Sequence, residues 1–190
     1  MKKNVTLFAA MAMGFFLSLF SANLAAQGTD GQGIVLRLTI DGVSTDYRNG
    51  ACGYGTAAWG GAVTDEACLD VVWGYDITPD SLGCDSIPAG SLNGKAAMIR
   101  RGGCEFGLKA LNAEKGGAAF ALIANNVSAT AGDDCNAIPM GAGAVGDQVT
   151  IPALFLCRNI VNLIDAALLA GKSVQICPLL PRLSASYAEF

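Results

Sequence analysis

The residues best suited to chemistry lie in one short run, Arg100-Arg101-Gly102-Gly103-Cys104-Glu105-Phe106. A guanidinium presents a planar fork of donors that fits a carboxylate or a set of backbone carbonyls. Two successive glycines permit a sharp turn with φ > 0. The run therefore reads as a turn that carries Arg100 and Arg101 at the surface, with Gly102 and Gly103 shaping the backbone, Cys104 in a disulfide and Phe106 as a core anchor. The competing reading is a purely structural turn whose arginines make ordinary local salt bridges.

Catalytic chemistry is constrained by what the chain lacks. There is no histidine, which removes Ser-His-Asp and Cys-His catalysis and imidazole metal ligation together. No Ser-x-x-Lys occurs. Carboxylate pairs could still run a hydrolysis, but the sixteen acids are scattered and read as solvated surface. Gly141-x-Gly143-x-x-Gly146 has the letters of a dinucleotide fingerprint. A loop precedes it and a strand follows, so the fingerprint's context is missing and a flexible loop is expected. Asp133-Asp134 lacks the spacing of a calcium loop. The expectation is no catalytic residue, no metal and no cofactor. Asn126-Val127-Ser128 is a glycosylation sequon, of consequence only in a host that glycosylates secreted proteins.

The elements around the turn follow from hydrophobic spacing. Lys95–Ile99 is a short apolar run and reads as a strand. Phe106, Ala110 and Ala113 fall at i, i+4 and i+7, the spacing of one helix face from Glu105 to Lys115, with Lys109 and Lys115 off that face. Gly116-Gly117 stops the helix, and Lys115 complements its dipole. Ala118–Ala124 is a second buried strand, completing a strand-helix-strand unit. Upstream, Ile34–Ile40 and Leu69–Trp73 read as strands, with a turn at Asp41-Gly42. Residues 49–61 are glycine-rich and loop-like, with Tyr54 and Trp59 packing on the domain. Asp76–Ala89 is an irregular loop tied down by a disulfide. Downstream, residues 128–146 form a loop and Gln148–Cys157 a strand. Asn159 caps a helix whose apolar positions are Ile160, Leu163, Ile164, Ala167 and Leu168. Gly171 ends that helix, and Ser173–Cys177 is the last strand.

Residues 1–26 have the build of a secretory signal: Lys2 and Lys3, an apolar run from Leu7 to Phe20, and small residues up to Ala26. The expected organisation is a signal over 1–26, a flexible lead over 27–33, one domain over 34–178, and a tail or linker start over 179–190. Without Lys2 and Lys3 the remainder holds ten basic against sixteen acidic residues. That balance gives no footing for nucleic acid or an anionic membrane. All seven cysteines lie beyond the signal and read as a disulfide framework. Their number is odd, so at least one is free or pairs outside the chain. Cys104 with Cys135 is the expected pair, and Cys157 with Cys177 a second candidate. Cys52, Cys68 and Cys84 stay unassigned.

Taken in order, GKAAMIRRGGCEF, KALNAEKGGAAFALIANN and Val149-Thr150-Ile151-Pro152-Ala153-Leu154-Phe155 resemble the core of the protease-associated (PA) domain. The likeness covers roughly Asn93–Cys177, and more loosely the chain from Ile34. Gly107-Leu108 departs from the family pattern, a difference expected to touch only the helix surface. The resemblance implies an α+β fold, a β-sandwich or open barrel with two flanking helices, stapled by disulfides. It also implies a secreted, non-catalytic module of bacterial type that binds a protein or peptide, recruiting substrates or regulating a secreted peptidase. In sorting-receptor members the arginine of this turn helps hold a peptide, and Arg101 is the matching residue. The alternative is a structural subunit of an extracellular complex that self-associates through the odd cysteine and the Tyr54/Trp59 segment. A small carboxylate hydrolase is the third possibility.

Overall fold

The computed structural model describes residues 33–50, 52–63, 67–78, 80–126 and 137–180. The expected signal, most of the lead, the tail from 181, Asp133-Asp134 and Cys135 lie outside the described residues. In chain order the elements are β1 (Val35–Ile40), β2 (Val43–Tyr47), β3 (Tyr54–Thr56), β4 (Leu69–Trp73), β5 (Ala96–Arg100), α1 (Phe106–Lys115), β6 (Phe120–Ala124), β7 (Ala153–Leu156), α2 (Arg158–Leu169) and β8 (Val174–Leu179).

The strands form one mixed sheet in the order β2-β1-β8-β4-β5-β6-β7-β3. A bridge between Asn49 and Tyr54 brings its two edges together, so the sheet nearly closes into a barrel. The four strands β4, β5, β6 and β7 run parallel, and the flanking pairings are antiparallel. Parallel strands covered on both faces read as unbroken apolar runs, which is how β5 and β6 appear in the sequence. Their side chains alternate between two cores. Ala96, Met98, Phe120, Leu122, Leu154 and Leu156 point into the barrel with Leu36, Leu38 and Ile176. Ala97, Ile99, Ala121, Ile123 and Phe155 face α1. This is the α+β barrel with two helices that the sequence resemblance implies.

The β5-α1-β6 crossover follows the sequence reading closely. Phe106, Ala110 and Ala113 all pack into the outer core, and Gly117 leaves the helix at φ 98°. Helix α2 lies across the carboxyl ends of the parallel strands. Arg158 at its start donates to the carbonyl of Asn126, and Asp165 accepts from the Trp73 indole. Its buried face, Ile160, Val161, Ile164 and Ala167, plugs the barrel core. Among the described residues no helix is long and apolar enough to cross a membrane.

Several expectations need correction. Leu163 is half exposed, and Val161 takes the buried position instead. Cys157, not Asn159, precedes the first turn of α2, and the Asn159 amide donates to the Cys52 carbonyl. The strand expected over 148–157 is shorter, β7 at Ala153–Leu156, and a 3₁₀ turn over Gly146–Gln148 takes the first expected residue. The glycine-rich stretch 49–61 contains β3, paired with β7. Gly107 is not a surface feature: it is buried, and a Cβ there would stand 2.0 Å from the Ala142 carbonyl oxygen. The 3₁₀ turn packs directly on α1 at that point.

The expected disulfide pairs are replaced by Cys84–Cys104 and Cys68–Cys177. Topology explains the second. Strand β8 lies between β1 and β4, bringing Cys177 beside Cys68, whereas β7 lies between β6 and β3 and holds Cys157 far from Cys177. Cys157 is therefore a buried free thiol, and burial pushes its pKa up. Cys52 is also disulfide-bonded. Cys104 meets Cys84 because the loop 81–84 runs alongside the end of β5, where the Arg100 amide donates to the Ser81 carbonyl.

Candidate functional site

The carboxyl ends of the parallel strands bring a group of polar residues together, in the region where α/β sheets place ligands. Strand β4 ends at Trp73, β5 at Arg100, β6 at Ala124 followed by Asn125-Asn126, and β7 at Leu156 before Arg158. The fold thus brings three arginines, two asparagines and an indole to one edge.

Arg100 is engaged within the domain. Its Nε donates to the Ser81 hydroxyl at 2.8 Å, and its guanidinium stacks 4.2 Å above the Trp73 ring, an arrangement worth about 1 kcal/mol. Arg101 stands differently. Its backbone amide continues the β6 pairing to the Ala124 carbonyl, and the Asn126 amide donates to its carbonyl. Its guanidinium makes one long contact, 3.3 Å to the Asn125 side-chain oxygen. Among the described residues the ion pairs are Arg37–Asp46 and Lys172–Asp41. No carboxylate there neutralises Arg100, Arg101 or Arg158, so the local salt bridge of the structural reading is not formed among them.

Gly102 and Gly103 hold φ values of 100° and 79°, in the left-handed region that favours glycine. At Gly103 space is also short, since a Cβ would sit 3.0 Å from the Cys84 sulfur. The turn's exposed backbone is thus pressed against the Cys84–Cys104 bridge. The four residues Arg100, Arg101, Gly102 and Gly103 are brought together as one surface, with Arg100 as its support and Arg101 as its open guanidinium.

Beneath the turn the structure shows what sequence periodicity missed. Lys109, expected on the outside of α1, is fully buried. Its ammonium donates to the Leu82 carbonyl and lies 3.6 Å from the Cys84 sulfur. Burial lowers its pKa, opposed by the charges of Asp80 and Asp76. Asn112, one turn on, donates to the carbonyls of Gly83 and Cys84. Asp76, expected on the surface, is 5 % exposed. Burial alone would raise its carboxyl, but hydrogen bonds from the Thr78 hydroxyl and amide and from the Asp85 amide prevail and hold it below the usual range. The loop 76–85 is thereby folded down onto α1 and fixes the turn from below. The only sequence signal for this was the spacing of Lys109 and Asn112, one i, i+3 pair of polar residues on a helix whose other neighbours are apolar.

Comparison with known proteins agrees with this geometry. The PA domain family matches residues 63–164, more than half of the chain. Over 96 residues the chain is 34% identical to the ER degradation-enhancing alpha-mannosidase-like protein 3 of Xenopus laevis, covering 50% of this chain and 10% of that protein. An aminopeptidase from Aneurinibacillus sp. strain AM-1 superposes with a TM-score of 0.51 at 20% identity, covering 78% of this chain and 30% of that one. BSAP, a zinc aminopeptidase from Bacillus subtilis, gives a TM-score of 0.44 at 21% identity, over 77% and 30% of the two chains. The chain thus spans a tenth of the curated relative and under a third of each aminopeptidase. With the motif order, the barrel and the family match in agreement, this chain belongs to the PA domain family.

Proposed function

We propose that this domain is a secreted, non-catalytic binding module that holds a protein or peptide at the Arg101–Gly103 turn. Its role is to recruit substrates to a secreted peptidase or to regulate one. The carrying observation is Arg101: a guanidinium at the edge of the sheet, fixed by its backbone, with one long contact and no carboxylate partner among the described residues. Such a group has donors left for a partner's carboxylate or carbonyls. The association of PA domains with peptidases, and the aminopeptidase that shares the fold, support a peptidase as partner or neighbour. Disulfides support an oxidising, extracellular setting.

The assembly-subunit alternative assigns contacts between chains to the odd cysteine and the glycine-rich Tyr54/Trp59 segment. Cys157 and Tyr54 are buried, and the Trp59 indole donates inward to the Met140 carbonyl. Nothing specific now favours it. The test is capture from the host's secreted proteins on the immobilised chain, with Arg101→Ala in parallel. A partner held by the native chain and lost with Arg101→Ala supports the proposal. A partner held equally by both moves the surface elsewhere, and no partner refutes the recruiting role.

A further inference from the structure

Within the described residues, two disulfides are fully placed, and one of them has a buried cation on its sulfur. We propose that Cys84–Cys104 is a thiol–disulfide exchange site, activated by the Lys109 ammonium, whose opening releases the Arg101–Gly103 turn. Its reaction partner is a dithiol.

The geometry assigns the direction of exchange. The Lys109 Nζ lies 3.6 Å from Cys84 Sγ and is held there by the Leu82 carbonyl. A positive charge at that distance stabilises a thiolate and so makes Cys84 the better leaving group. Both cysteines are partly exposed, so a reductant can reach them. A thiolate of the dithiol attacks Cys104 Sγ. The Cys84–Cys104 bond breaks, and its electron pair passes to Cys84, which remains as a thiolate beside Lys109. The second thiol of the dithiol loses its proton to water and attacks its own mixed-disulfide sulfur, expelling Cys104 as a thiolate that takes up a proton. The dithiol leaves as its disulfide, and the protein gains two electrons.

The consequence is local. Gly103 sits against Cys84 Sγ, and the bridge ties the turn to a loop otherwise anchored by Lys109, Asn112 and Arg100. Opening removes the disulfide that cross-links loop and turn, while both barrel cores stay intact. Cys157 provides an internal control, because its thiol is buried and reacts only if the barrel unfolds. The regulatory meaning rests on the turn being the ligand surface; the chemistry of opening does not.

The experiment is graded reduction of the full chain with dithiothreitol, quenched by alkylation and mapped by mass spectrometry, followed by brief trypsin treatment. Cys84 and Cys104 should be labelled first, before Cys68, Cys177 and Cys52, with Cys157 unlabelled. Trypsin should then cut after Arg101 in the reduced form and not in the oxidised form. Lys109→Met should slow the opening of this bridge by roughly three- to tenfold, and Lys109→Arg should retain most of the rate. Should Lys109→Met fail to fold, the order of labelling in the native chain still decides. Opening of another bridge first, labelling of Cys157 together with Cys84, or an unchanged rate in folded Lys109→Met would overturn the proposal. Correct labelling with no new cut at Arg101 would overturn its effect on the turn. Failure of the binding role itself shows only in the Arg101→Ala capture, so the two are distinguishable.

Discussion

Among the described residues, Asp76 and Lys109 are the two charged residues that the sequence alone misplaces, and both are buried where the loop that Asp76 opens meets α1. A carboxylate in that position costs stability unless its oxygens are bonded, and Asp76 accepts three hydrogen bonds from Thr78 and Asp85. Its folded pKa lies below the ordinary value. It therefore contributes stability above the unfolded value of about 3.9, and that contribution disappears as the pH falls through the folded value. Asp76→Asn should cost about 1–3 kcal/mol near neutrality. It should also flatten the acid limb of stability below about pH 4, measurable by urea melts across that range. A steeper acid limb in the variant would contradict this account. Neither residue's burial was legible: Asp76 opens an irregular loop and Lys109 stands off the apolar face of α1, and each reads as surface until the packing of that loop on α1 is known.

At the scale of elements, legibility tracked burial. Strands β5 and β6, α1 and the glycine-paired turns could be read because apolar runs and double glycines are compatible with few local structures. Strand β2, Val-Ser-Thr-Asp-Tyr, is polar and mostly exposed, so nothing in its period marks it. The disulfides escaped for a different reason: which cysteines meet depends on strand order, and β8 inserts between β1 and β4. Two substitutions test the element packing. Gly107→Ala should gain about 1 kcal/mol of helix propensity. The Cβ would meet the Ala142 carbonyl at 2.0 Å, and forcing backbone apart costs about 1–3 kcal/mol. The clash wins, so the melting temperature should fall; a rise would show that the 3₁₀ turn yields freely. Tyr54, wholly buried in β3, donates its hydroxyl to the Ile34 carbonyl, and burial pushes its phenol up to about 12. Its neutral form contributes stability that is full below the unfolded value of 10 and is lost as the pH rises toward about 12. Tyr54→Phe should cost about 1 kcal/mol at neutral pH and remove much of that alkaline loss. An alkaline limb unchanged in the variant would assign the loss to other groups.

For the whole molecule, the barrel separates two jobs. The inner core, plugged by α2, and the outer core under α1 carry the stability. The carboxyl edge of the parallel strands carries the Arg101 guanidinium, which neither core uses. The arrangement of this edge was partly legible: the Arg-Gly-Gly-Cys turn stood out by composition, while its neighbours Asn125, Asn126, Arg158 and Trp73 come from separate segments that only the strand order assembles. Substitution of the Arg101 side chain, which makes one long contact, should consequently leave folding unchanged. Arg101→Ala is expected to shift stability by less than about 0.5 kcal/mol, while Lys115→Ala, at the opposite end of α1, should cost about 0.3–1 kcal/mol of stability through the helix dipole and leave binding unchanged.

The most direct measurement is therefore binding of the captured secreted partner to the native chain, Arg101→Ala and Lys115→Ala by calorimetry, with circular dichroism confirming equal folding. The account predicts that Arg101→Ala weakens binding by about tenfold or more, as loss of a charged hydrogen bond of about 1.5–3 kcal/mol requires, while Lys115→Ala binds as the native chain does. Equal affinity for all three folded proteins would contradict the assignment of the ligand surface to the Arg101 turn.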